Sequence, residues 1–292
     1  MKLTKGEKIF GIFNGAFMIL LMATMIIPVW HVLMSSFSST GDLMKSNGII
    51  LWPEHFSFAS YAMVAKRSDI YSGYLITLFT VGCGTFLSIL LTSFGAYGLS
   101  RKNLMLKGPI TGFIVLTMFV SGGTIPFYLV VANILHMDNS IFALFVPMAI
   151  NTFNLIVMRS GFEAVPDSLV ESAYIDGAND FKILFSIIIP VSMATVAVQI
   201  LFYGVAYWNS WFNAMLFIKE RVKYPLQLIL REILINSTTT DMLSSVDKAD
   251  QDAVSESIKY AVIIVSTVPI LCLYPFLQKY FVKGVMIGSV KG

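Results

Sequence analysis

Six stretches of this chain contain no Asp, Glu, Lys or Arg: residues 9–34, 73–99, 109–135, 141–158, 183–207 and 260–278. A helix rises 1.5 Å per residue, so about 20 residues cross the roughly 30 Å of hydrocarbon in a bilayer. Charged residues make up only 13% of the 292, and hydrophobic residues 56%; a soluble domain carries about 25% charge. So few charges cannot cover so much apolar surface in water. The same composition excludes disorder, collagen and a disulfide scaffold. A net charge of +3 is too small to point to nucleic acid. The fold class is all-α: a polytopic membrane protein with six transmembrane helices in one domain over residues 1–292.

Lys2, Lys5 and Lys8 precede the first stretch. That stretch is longer than the 7–15 residues or so of a signal-peptide core and lacks a small-residue cleavage pattern. It is read as an uncleaved span. Lys/Arg bias then sets the orientation. With the N-terminus inside, 11 of the 20 basic residues and only 6 of the 17 acidic ones fall on the cytoplasmic side. Both termini are therefore expected in the cytoplasm, with outer loops over 35–72 and 219–259 and a cytoplasmic loop over 160–182. If the third and fourth stretches form one re-entrant unit about His136–Asn139, the downstream topology flips. The fifth stretch stays uncharged to Ile218; Pro190 predicts a kink and Trp208-Asn209-Ser210-Trp211 an interfacial turn. Cys83 and Cys272 lie inside apolar runs and read as small buried hydrophobes. The acidic run Asp241, Asp247, Asp250 and Asp252 fits a solvated loop or an outer docking surface.

The loop over 160–182 is the one cytoplasmic segment long enough for structure of its own. Pro166 suits a first helical turn and Asp167 the helix dipole. Gly177 suits a left-handed stop, and Asn179 or Asp180 can cap a second helix. Two short helices joined at Gly177 follow. Leu169, Val170 and Ala173 share one side of the first helix. That shallow apolar face fits either a groove in a partner protein or the lipid interface.

Glu171-Ser172-Ala173, three residues, Gly177, nine residues, then Ile187-x-Ile189-Pro190 resembles the EAA loop of bacterial ATP-binding-cassette import permeases. Ser172 stands for the first Ala of that pattern and Ile189 for its Leu, both conservative changes. Ser121-Gly122-Gly123-Thr124-Ile125-Pro126, the Trp208-Asn209 cluster and the tail Gln278–Gly284 are similar to the maltose-type, carbohydrate-uptake branch. The resemblance implies the type I ABC importer permease fold with a cytoplasmic coupling helix in a bacterial inner (plasma) membrane. It implies a second permease subunit, two ATP-binding cassette subunits and an extracellular solute-binding protein that delivers an oligosaccharide. The implied ATPase-coupling residues are Leu169, Glu171, Ser172, Ala173, Asp176, Gly177 and Pro190. ATP and Mg would be held by the partner ATPases, and no cofactor by this chain.

The chain has no Gly-x-x-x-x-Gly-Lys-Ser/Thr loop and no Gly-x-Ser-x-Gly or His-Glu-x-x-His motif, so neither its own ATP hydrolysis nor another catalytic or metal site is expected. Charge-free spans argue against a proton- or sodium-coupled carrier. A lipid-embedded enzyme would need a titratable cluster, and none is visible; a permease of the same superfamily for a non-sugar solute is the remaining alternative. Candidates for a sugar path are Asn151, Asn154, Gln199, Tyr203, Trp208 and Asn209. Gln199, Tyr203 and Tyr207 recur every four residues on one helical face, which fits a pore-lining stripe or interhelical hydrogen bonding. Gly122-Gly123 fits an unwound stretch or close helix packing.

Overall fold

The computed structural model describes residues 4–46, 48–243 and 257–272. Its helices are α1 (Lys5–Ser36), α2 (Thr40–Lys45), α3 (Ala59–Ala65), α4 (Ser68–Ser100), α5 (Lys107–Leu116), α6 (Thr124–Ile134), α7 (Thr152–Glu163), α8 (Asp167–Ile175), α9 (Asp180–Val191), α10 (Met193–Trp208), α11 (Phe212–Phe217), α12 (Leu226–Leu243) and α13 (Ser257–Cys272). Among the described residues there is no strand, only an isolated antiparallel bridge between Ser38 and Phe56. The chain forms two compact units, Met1–Ser68 with Leu230–Val268 and Asp69–Ile229 with Pro269–Gly292.

In the first unit, Thr4 and Glu7 form a capping box that starts α1: Thr4 Oγ1 accepts from Glu7 N, and Glu7 Oε2 accepts from Thr4 N at 2.6 Å. Only Met34, Ser35 and Ser36 of α1 are buried. Its exposed Phe and Ile side chains incur no penalty in lipid, which is as apolar as they are. The loop beyond α1 is held by Ser57 N donating to Phe37 O at 2.7 Å and by Ser36 Oγ with Tyr61 Oη at 2.7 Å.

In the second unit, α4 is inside out compared with a soluble helix. Gly73, Thr77, Thr80, Gly84, Ser88, Thr92 and Ala96 make its buried stripe, while Leu75, Leu78 and Phe86 point outward. Small and hydroxyl-bearing residues let helices approach closely where no hydrophobic force drives them together. A Cβ at Gly84 would stand 2.9 Å from both Phe145 Cβ and Tyr207 Cε2.

α1 and α4 are long and apolar enough to cross a membrane unbroken; α9 with α10 makes a third candidate, bent by 87°. The third, fourth and fifth apolar stretches are interrupted, each for a local reason, and the described part of the sixth lies in α13. The third breaks between α5 and α6, where Gly123 has φ +83°. The backbone at Gly122-Gly123 is unwound, and among the described residues a Cβ at either would meet nothing within 4 Å. The fourth holds only a 3-10 turn, Ile141–Leu144, before α7. Pro147 disfavours helix in the residue before it, and Asn151 then caps α7 by accepting from Asn154 N at 3.1 Å. In the fifth, Pro190 cannot donate to the preceding turn, which widens into a π segment over Leu184–Ile188.

Three further expectations change. α7 runs to Glu163, into the segment expected as loop. The expected outer loop 219–259 contains α12, whose Leu226, Leu228 and Ile229 are buried; the apolar run after Pro225 outweighs the polar composition of the segment as a whole. Cys83 and Cys272 are exposed instead of buried: on a lipid-facing helix an apolar run need not face the protein. The side chains of the acidic run 241–252 and the tail 278–284 lie outside the described residues.

Candidate functional site

α8 is short and depends on bracing. Asp167 begins it, and Pro166 takes the cap position. It ends in a Schellman motif: Ala178 N donates to Ala173 O at 2.9 Å, and Gly177 N to Tyr174 O at 3.0 Å. Gly177 sits at φ +75°, a conformation without strain only for glycine. Asn179 Oδ1 then accepts from Lys182 N at 2.9 Å and starts α9. Val170 and Ala173 are buried in a core with Tyr97, Phe162, Ile183 and Ile188. The apolar side of α8 therefore packs on its own chain. Leu169, Glu171, Ser172 and Asp176 remain exposed, as does Ile175 at 86%.

Polar braces hold both ends of α8. Asp180 Oδ1 accepts from Tyr97 Oη at 2.7 Å and from Tyr174 Oη at 2.6 Å, which ties α8, α9 and the end of α4 together. The Arg101 guanidinium lies 4.7 Å above the Tyr97 ring. At the other end Lys102 pairs with Asp167. That hydrogen bond holds the Asp167 carboxyl below its ordinary value and raises Lys102. Nearby, Glu163 Oε1 accepts from Lys107 Nζ at 2.8 Å and Arg159 Nε at 3.0 Å. Burial pushes Glu163 up, but these hydrogen bonds outweigh it, and its carboxyl also lies below the ordinary value.

A second feature lies where α10 turns into α11. Asn151, Asn154, Tyr203, Ser210 and Asn213 line a cavity of about 240 Å³, and a neighbouring one of about 620 Å³ is lined by Gly122, Gly123, Phe127 and Phe212. Met148 and Asn213 belong to both, and among the described residues no charged side chain lines either. Tyr203 reaches the first cavity with its hydroxyl already committed: it pairs with Thr92 Oγ1 at 2.8 Å and accepts from Asn151 N at 3.1 Å. Tyr207 Oη likewise pairs with Ser88 Oγ at 2.8 Å. Gln199 shares their face, is fully buried, lines neither cavity, and has no hydrogen-bond partner for either amide atom among the described residues. Asn209 is exposed at the end of α10. Trp208 is buried beside a separate apolar groove with Phe86 and Ile200. Pro190 sits just before the 87° bend.

Of the sequence candidates, the structure brings Asn151, Asn154 and Tyr203 to one cavity. Ser210 and Asn213 were missed because helical periodicity carries no information across a turn. Also missed was the approach of Asp42 to Glu54 and His55, whose ligand-capable atoms lie within 4.8 Å of one another; Asp42 Oδ2 accepts from His55 N at 3.1 Å.

Comparison with known proteins agrees with this architecture. A family model described as binding-protein-dependent transport system inner membrane component matches residues 84–287. The polygalacturonan/rhamnogalacturonan transport system permease protein YtcP of Bacillus subtilis is 39% identical over 286 residues, 98% of this chain and 99% of its own. Protein LplC of the same organism is 35% identical, covering 99% and 97%. The crystal structure of a bacterial ABC transporter involved in the import of the acidic polysaccharide alginate contains a chain that superposes with a TM-score of 0.86 at 26% identity, over 96% of this chain and 99% of that one. This chain thus belongs to the family of binding-protein-dependent transport system inner membrane components: it is a multi-pass permease subunit of a bacterial ABC transporter.

Proposed function

We propose that this chain is one of two permease subunits of an ATP-driven importer that moves an oligosaccharide across the membrane by alternating access. The observation that carries this reading is the construction of α8. Its inner face packs on its own chain, its C-terminal end is tied to α4 and α9 and its N-terminal end to Lys102 just beyond α4, while Glu171, Ser172 and Ile175 are exposed on the outer face. A helix held this way transmits force instead of absorbing it. In the proposed assembly two ATP-binding cassette subunits grip that outer face, with Glu171 at its centre, and Gly177 passes their movement into α9. Leu169 adds an apolar contact. Ala173 and Asp176 shape the turn, and Pro190 sets the bend above it.

The bias of basic residues supports a cytoplasmic position for α8 and both termini. The six crossings include broken ones, which suits a transporter, since irregular backbone at membrane depth is tolerated where it lines a cavity. ATP and Mg belong to the cassette subunits, and an extracellular binding protein delivers the sugar. The carbohydrate assignment is supported by the transport named for YtcP and for the alginate importer. Asn151 and Asn154 form part of the path, with Tyr203 supporting its wall.

The test is Glu171→Lys and Gly177→Pro in the whole transporter. Both variants should reach the membrane at normal levels. ATP-dependent uptake of labelled oligosaccharides should fall by about tenfold or more, as expected for reversing a charge in a buried contact. Full uptake in both would overturn the coupling role of α8.

A further inference from the structure

We infer that residues 49–58 are a membrane-interface anchor, a segment that rests its apolar side chains in the lipid headgroup layer of the leaflet where α1 ends.

The depth of the segment follows from α1. Lys8 is the last charged residue before the first uncharged run, and about 20 residues at 1.5 Å each cross the hydrocarbon. Counted from Ile9, that distance ends at Pro28. Trp30 and His31 therefore fall in the headgroup layer, where Trp is favoured. Both side chains hold the backbone of the segment. Trp30 Nε1 donates to Leu51 O at 2.9 Å, and Ile50 N donates to His31 Nδ1 at 3.0 Å. Consecutive residues of the span thus fix consecutive residues of the loop at the level where bilayer gives way to water.

The segment is also amphipathic. Glu54 and His55 gather with Asp42 of α2, and His55 N donates to Asp42 Oδ2 at 3.1 Å. Ile49, Leu51, Trp52, Phe56 and Phe58, in contrast, are each more than half exposed. Trp52 and Phe56 meet edge to face with ring centroids 5.7 Å apart, so both halves of the segment share one aromatic surface. Water disfavours so many apolar side chains in one place. The headgroup layer takes in the rings and still hydrates the loop backbone.

The rival occupant is the extracellular binding protein. Lipid is favoured because the height of the segment is set by bonds to a span of which only Met34, Ser35 and Ser36 are buried.

Trp52 reports its own surroundings. The assembled transporter is placed in nanodiscs whose lipids carry a spin label either at the headgroup or near the chain end. Subtracting the fluorescence of Trp52→Phe from that of wild type isolates the Trp52 signal. That signal should lose more intensity to the headgroup label than to the chain-end label, and aqueous iodide should quench it weakly. Trp30→Phe keeps a ring but removes the bond to Leu51 O. Measured the same way, it should show more iodide quenching of Trp52 and less loss to the headgroup label. Strong iodide quenching with no loss to either lipid label overturns the anchor. So does shielding from iodide that appears only when the binding protein is added, which would assign the surface to that partner. Equal iodide quenching with and without the Trp30 indole overturns the setting of depth by α1.

Discussion

Gly161 shows how a single atom can decide the packing of two helices. A Cβ there would stand 2.4 Å from Thr195 Oγ1 and 2.6 Å from Thr195 Cγ2, and Ser192 Oγ donates to Gly161 O at 3.3 Å. Gly161→Ala should therefore destabilise the protein by about 1–3 kcal/mol, the usual cost of overpacking. A lower melting temperature in detergent would show it, and Thr195→Ala in the same chain should restore part of the loss. An unchanged melting temperature would mean that α7 and α10 have room to spare. Nothing in the sequence singled out Gly161, because its role depends on which residue the bend after Pro190 places against it. Tyr203 and Tyr207 were legible as a pair on one face. That their hydroxyls would engage Thr92 and Ser88, more than 100 positions away, was not.

At the scale of the element, α8 is too short to be stable alone; isolated helices of fewer than about 12–15 residues are marginal in water. Its order comes from Val170 and Ala173 in the core and from Asp180, which accepts from tyrosines on two different helices. Hydrogen bonds to a charged group contribute about 1.5–3 kcal/mol. Asp180→Ala should thus speed amide exchange across 167–175 by about tenfold or more. Tyr174→Phe, which removes one of the two bonds, should have a smaller effect. Exchange measured by mass spectrometry on the assembled transporter would decide, and unaltered protection in Asp180→Ala would show that the clamp does not order α8. The helix–Gly–helix pattern was plain in the sequence, since capping chemistry is local. The inward aim of Val170 and Ala173 was not, because an apolar face does not say whose surface it meets.

For the molecule as a whole, the ion pairs around α8 make its fold sensitive to acid. A carboxyl whose folded value lies below its unfolded one stabilises the fold fully above the unfolded value, about 4.3 for Glu and 3.9 for Asp. That stabilisation is lost as pH falls through the folded value. Glu163 and Asp167 are both lowered, so the melting temperature in detergent should hold steady near neutrality and drop below about pH 4. Glu163→Gln should melt lower at neutral pH and show a shallower drop in acid. Equal slopes for wild type and variant would remove Glu163 from this account. The pair formed by Lys102 and Asp167 lies at the surface, and high salt should weaken it first.

The sequence by itself determined the membrane class, the apolar segments and the helix–Gly–helix of residues 167–191, because hydropathy, length and capping depend only on neighbours along the chain. It also carried the family, through the spacing of Glu171, Gly177 and Pro190. Only the tertiary structure decided which apolar segments run unbroken. It also showed that α4 buries its small residues, and that Ser210 and Asn213 join Asn151 and Asn154 around one cavity. The physical reason is that lipid solvates an apolar side chain as well as protein does, so hydrophobicity marks the segment without saying which face turns inward. Close approach and hydrogen bonding between distant residues settle that, and they exist only once the helices have met.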